Sequence, residues 1–222
     1  MRACQPGRTK RATIGGTVCA VSKHSGFLLA MAVLALIFAG CGKMKPIKYY
    51  DINYPPITPT TQEPTEASLL VQRFAASDLY RDNRIVYGSP GPEMNTYQND
   101  LWAGPPTEML RDALVRGLRS SGHFRAVMTF RSDSRGDFLV TGHLYEFREV
   151  DASPVVARLN YDVELRDQKT GKTIWKFSYN HEEPTSENSV NALAEAMSRN
   201  VQRSVQEVQG GIQQALSAYP AK

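Results

Sequence analysis

Cys41 is the residue whose neighbours prescribe a chemistry. Ala39-Gly40-Cys41 sets two small side chains before a thiol, an order that resembles a lipobox, and the resemblance implies a cut ahead of the cysteine and a diacylglycerol on its sulfur. The other reactive groups are scattered. His123, His143 and His181 fall at no metal-ligand spacing, and the cysteines form no CxxC or Cys/His pattern. Glu182 and Glu183 are adjacent, and neighbours in an extended segment point to opposite faces, so they are not expected to share a proton as a catalytic pair does. A GxSxG elbow, an HExxH pair, a GxxxxGK(S/T) loop and a GxGxxG turn are all missing from the sequence. The chain therefore reads as non-enzymatic, with no cofactor and no metal. A second constellation is aromatic: Tyr80, Tyr87, Tyr97 and Trp102, with Leu101 and Met109, combine large apolar bodies with polar tips, as contact surfaces for another protein do. Each ring taken singly also fits an ordinary core.

The segment that would deliver Cys41 to its chemistry is the apolar run 27–39, FLLAMAVLALIFA. As a helix it would reach about 20 Å, short of the roughly 30 Å of a bilayer core. Basic residues precede it and small ones end it, the order of a secretory signal. The ending resembles a lipobox, with Phe38 where Leu is usual. Cys4 and Cys19 precede the cut, so a processed chain keeps one cysteine and forms no disulfide. Two or three acyl chains, at about 0.8 kcal/mol per buried CH₂, anchor stably. Gly42 follows the cysteine where an inner-membrane retention signal would place Asp, so the expected location is the periplasmic face of the outer membrane. The formal charge of +4 divides into +5 within 1–40 (Arg2, Arg8, Lys10, Arg11 and Lys23, with no acid) and −1 for the remainder. A body so near neutrality gives no reason to expect phosphate-backbone binding, so nucleic acid is not an expected partner.

Three regions follow: 1–40 a signal peptide, 41–66 a lipid anchor with a short tether and a proline-rich loop, and 67–222 a globular α+β domain. The tether 42–48 spans at most about 25 Å. Short strands are expected at 49–52, 68–74 (Leu69 and Val71 on one face), 84–87 and 93–98, with an extended loop at 53–66. Pro105-Pro106-Thr107 opens a helix with a Leu110, Leu114, Leu118 stripe, and Gly122 ends it. Longer strands follow at 138–147, 155–166 and 173–181, the last two joined as a hairpin through Asp167–Lys172 with Gly171 supplying a positive φ. From Ser189 to about Ala218 runs an amphipathic helix, with a bend or break expected at Gly210-Gly211. The predicted architecture is a mostly antiparallel sheet with two helices packed on one face, preceded by the signal peptide and proline-rich tether.

The stretches KYYDI at 48–52, RIVYGSPGPEMNTYQNDLWAGPP at 84–106, MLRDALVRGLRSSGHFRAV at 109–127, DFLVTGHLYEF at 137–147 and VELRDQKTGKTIW at 163–175 resemble, in that order, the ABC-type intermembrane transport auxiliary lipoproteins, the Pqi-type group. The resemblance implies a docking subunit held to the outer membrane. Its implied partners are an MCE-type tunnel protein that carries phospholipids, the inner-membrane ABC complex that energises it, and further copies of itself in a homo-oligomer. By the match, Tyr87, Tyr97, Trp102, Pro105 and Pro106 belong to the signature, joining Tyr80 and Leu101 as candidate interface residues. An outer-membrane lipoprotein that activates a cell-wall synthase or joins a secretion assembly is the alternative, since a strand, the helix LRDALVRGLRSSGHF and a following strand occur in such domains too.

Overall fold

The computed structural model describes residues 45–53, 65–131 and 135–219. Along them run β1 (Lys48–Tyr50), β2 (Thr65–Val71), β3 (Ala75–Ala76), a 3-10 turn (Asp78–Tyr80), β4 (Arg84–Gly88), β5 (Asn95–Trp102), α1 (Pro106–Ser120), β6 (Phe124–Thr129), β7 (Phe138–Val150), β8 (Val156–Asp167), β9 (Thr173–Pro184) and α2 (Val190–Ala218). The signal segment, Cys41 and residues 54–64 of the proline-rich loop lie outside the described residues. Thr65 and Glu66, expected at the end of that loop, open β2 instead. β6 is a strand beyond those the alternation marks.

Alternation builds the centre. Ala157, Leu159, Tyr161, Val163 and Leu165 of β8 are fully buried, while Arg158, Asn160, Asp162 and Glu164 on the other face are half-buried. The turn to β9 closes as its residues dictate: Asp167 Oδ1 accepts the Lys169 and Thr170 N–H groups at 2.7 and 2.9 Å, and Gly171 takes φ 70°. β7 runs antiparallel to β8 along one edge. Its other edge receives three short strands in succession, all parallel: β2 at 138–140, β3 at 143–144 and β4 at 148–150. β6 extends the sheet beyond β2, and β5 then β1 extend it beyond β4.

The sheet is therefore mixed, not mostly antiparallel. Among the described residues, five of its eight strand pairings are parallel. The short strands 65–88 do not pair with one another among the described residues; each takes a place along β7, more than fifty residues downstream. Double-sided burial follows from that position: Leu69, Leu70 and Val71 of β2 are all within 1% of complete burial, not Leu69 and Val71 alone.

Both helices cover one face, as expected. α1 begins where the Pro105 carbonyl accepts the Glu108 and Met109 N–H groups at 2.9 and 3.0 Å, and it buries Met109, Leu110, Ala113, Leu114 and Leu118. Gly122, at φ 69°, ends the turn after it. α2 is capped by Ser189 Oγ, which accepts from Ala192 N at 3.1 Å. It packs on β8 and β9 and against α1. Fully buried Asn200 ties it to the sheet: Nδ2 donates to the Ala157 and His181 carbonyls at 2.9 and 3.1 Å, and Oδ1 accepts the Tyr179 hydroxyl at 2.7 Å. The expected break at Gly210-Gly211 does not occur, for α2 is continuous through Ala218. Ile212 and Val208 are buried on either side, and the Trp175 indole occupies the space where a Gly211 Cβ would stand. Packing outweighs a propensity cost of about 1 kcal/mol per glycine. No helix among the described residues is long and apolar enough to cross a membrane.

Candidate functional site

The C-terminal half of β7 carries the corner where the expected interface residues meet a buried acid. Register slips by one residue between Leu144 and Glu146. Phe147 and Glu149, rather than Glu146 and Arg148, thus continue the face on which Leu144 lies. Parallel pairing with β4 sets Tyr87 beside Glu149. The β4–β5 hairpin returns Tyr97 against Tyr87, ring centroids 4.6 Å apart, and the Tyr97 hydroxyl donates to Glu149 Oε1 at 3.0 Å. Glu149 is 2% exposed. Burial first, and Asp151 after it, pushes its carboxyl up to about 7 against the pull of the Tyr97 hydrogen bond. The Tyr97 hydroxyl, desolvated and facing that carboxylate, is raised far above the usual phenol range. Tyr87 and Tyr97 themselves are half-buried.

Burial removes other expected interface residues from a partner's reach. Trp102 is fully buried and packs edge-on to Phe147, centroids 5.2 Å apart; its indole N–H has no hydrogen-bond partner among the described residues. Tyr80 is 2% exposed. Its hydroxyl donates toward Met94 Sδ at 3.9 Å, and desolvation raises it to about 12 despite the nearby Arg148 guanidinium. Rings of this size gain most from full burial, and the core takes them. Pro106 is buried while Pro105 and Leu101 are half-buried. The prolines start α1, and Leu101 stands in register with Tyr49 on the β1–β5 ladder. The half-buried remainder of the predicted set is Tyr87, Tyr97, Leu101 and Pro105.

Glu149 escaped the sequence reading. Strict alternation from Phe138 would turn it outward, and only the slip at Tyr145 turns it in; an acid amid the apolar positions of a central strand was the available signal. The histidines remain apart. His123 is buried, His143 lies over Tyr145 with centroids 4.6 Å apart, and His181 Nε2 is 3.5 Å from Glu183. Glu183 meets Arg199 and Arg203 of α2 at 3.1 and 3.0 Å, whereas Glu182 pairs with Arg158 of β8. The two acids thus bind different partners, as their adjacency in a strand requires. No cluster of three His, Cys, Asp or Glu able to hold a metal occurs among the described residues.

A pair of half-buried tyrosines stands against a carboxyl that changes charge near neutral pH, all three mounted on paired strands. The chain belongs to the family of ABC-type transport auxiliary lipoprotein components, which it matches over residues 50–209. That family comprises lipoproteins associated with ABC transport, and it is not a class of enzymes. No curated protein matches the chain. Among solved structures, protein XCC0632 from Xanthomonas campestris is 23% identical and superposes with a TM-score of 0.66 over 77% of this chain and 96% of that one. An uncharacterized protein, 17% identical, reaches 0.60 over 76% and 99%. Both share the fold.

Proposed function

We propose that this chain is a docking subunit of an ABC/MCE-type system that moves phospholipids between membranes. It is cut before Cys41, acylated on that residue and held at the periplasmic face of the outer membrane. The family match across nearly the whole described domain carries this reading; the half-exposed Tyr87–Tyr97 pair supports a surface that grips a protein partner. In it, the acyl chains hold the domain at the membrane, the β4–β5 corner meets the MCE-type protein, and copies of the chain assemble around the contact. The chain does no bond chemistry.

Affinity capture of the acylated protein from membranes tests this. The MCE-type protein and its ABC complex are expected to co-purify. Tyr87→Ala should reduce their recovery several-fold, as removing an interface aromatic worth about 1–2 kcal/mol would, while the thermal melt stays near that of the parent. Capture of a cell-wall synthase or a secretion component instead, with no MCE-type gene beside this one, would replace the proposal by the alternative reading.

A further inference from the structure

We propose that residues 45–49 contact anionic lipid headgroups, so that the edge of the sheet formed by β1 faces the bilayer. The inference deepens the docking-subunit reading and rests on it through the acylation of Cys41. Ile47 and Tyr49 are 55% and 63% exposed, large apolar side chains left in solvent. Lys45 and Lys48 beside them are exposed too. Lys43 adds a third cation, and no acid occurs between Cys41 and Asp51. The nearest acids are engaged locally: Asp51 Oδ1 accepts the Ile52 N–H at 2.8 Å, and Asp100 Oδ1, in register with Lys48, accepts the Tyr50 hydroxyl at 3.0 Å. β1 joins the sheet through β5 alone among the described residues, which leaves its outer edge open.

Chain length selects the occupant. Three residues separate Cys41 from Lys45, so the connection spans at most about 14 Å however extended it is. An acylated Cys41 therefore keeps Lys45 within about two Debye lengths of the headgroups at physiological salt, each about 8 Å. Lysines at that distance are drawn to an anionic leaflet. A tyrosine, with its apolar body and hydroxyl tip, suits the level where chains give way to headgroups. A protein competing for this patch would have to enter the narrow space between domain and bilayer.

Tyr49→Trp in the acylated protein tests the contact. The protein is reconstituted in phosphatidylethanolamine/phosphatidylglycerol vesicles carrying brominated acyl chains. Emission beyond that of the unsubstituted protein should be quenched about twofold and blue-shifted, and by less than half as much in phosphatidylcholine vesicles. Adding Lys45→Glu and Lys48→Glu should restore the emission although the acyl chains still hold the protein on the vesicles. Unquenched emission from protein that floats with the vesicles overturns the headgroup contact and leaves the anchor standing. So does cross-linking from position 49 to a protein. Should mass spectrometry find no acyl group on Cys41, the anchor reading fails. Co-sedimentation of the chain with phosphatidylglycerol vesicles, abolished by the two charge reversals, then decides the contact by itself, and its absence overturns it.

Discussion

Burying Glu149 beneath Tyr97 ties the stability of the β4–β5 corner to pH. Its carboxyl ionises at about 7 when folded, against about 4.3 in an unfolded chain. A raised acid contributes fully below the unfolded value and loses that contribution as pH rises through the folded one. Asp137 and Asp167 behave oppositely. Hydrogen bonds, led by the Ser68 hydroxyl for the first and the Thr170 N–H for the second, hold them below the ordinary carboxylate range, so their contribution falls away only in acid. Among these carboxyls, Glu149 alone changes charge between pH 5 and 8. Glu149→Gln should therefore raise the melting temperature at pH 8, leave it nearly unchanged at pH 5 and flatten the profile between. Parallel profiles for parent and variant would remove Glu149 as the cause. Tyr87 and Tyr97 were readable in the sequence only as two of four amphipathic rings, with Tyr80 and Trp102, and the acid beside them was not.

At the scale of elements, α2 contrasts two neighbouring glycines. A Cβ at Gly210 meets nothing within 4 Å, whereas one at Gly211 runs into the Trp175 indole. Helix propensity favours alanine over glycine by about 1 kcal/mol at both positions. Gly210→Ala should accordingly stabilise the fold by about 0.5–1 kcal/mol. Gly211→Ala should destabilise it, since Trp175 must leave its stack on Phe177, where the ring centroids are 5.7 Å apart and the planes nearly parallel. Chemical denaturation of the two variants checks this, and equal shifts in one direction would refute the packing account. The helix itself was evident from its apolar stripe. Its continuity was not, because Trp175 lies 36 residues from Gly211 and no local window contains both.

For the molecule as a whole, function in the proposed reading depends on height above the membrane. The segment 42–47 allows at most about 25 Å between Cys41 and the start of β1. Inserting about ten Gly/Ser residues after Gly42 would roughly double the reach without touching any described contact. Folding, acylation and membrane attachment should persist, while resistance to detergents falls toward that of a strain lacking the gene. Full resistance with the longer tether would show that height is not limiting. The sheet is suited to a fixed stance: β7 is braced by β8 along one edge and by β2, β3 and β4 along the other, so the tyrosine corner and the β1 edge belong to one framework.

Sequence alone determined the β8–β9 hairpin, the two helices and the side each of them buries. Those features depend on residues a few positions apart: a period of two in 156–165, an Asp-to-Gly turn at 167–171, and a stripe every three or four residues along α2. Only the tertiary structure decided which partners the short strands take, that most pairings are parallel, and that Glu149 points inward. The composition of a five-residue strand is the same whichever way its neighbour runs. Its direction is settled by contacts across fifty or more residues, and a single-residue slip in β7 exchanges what lies inside for what lies outside.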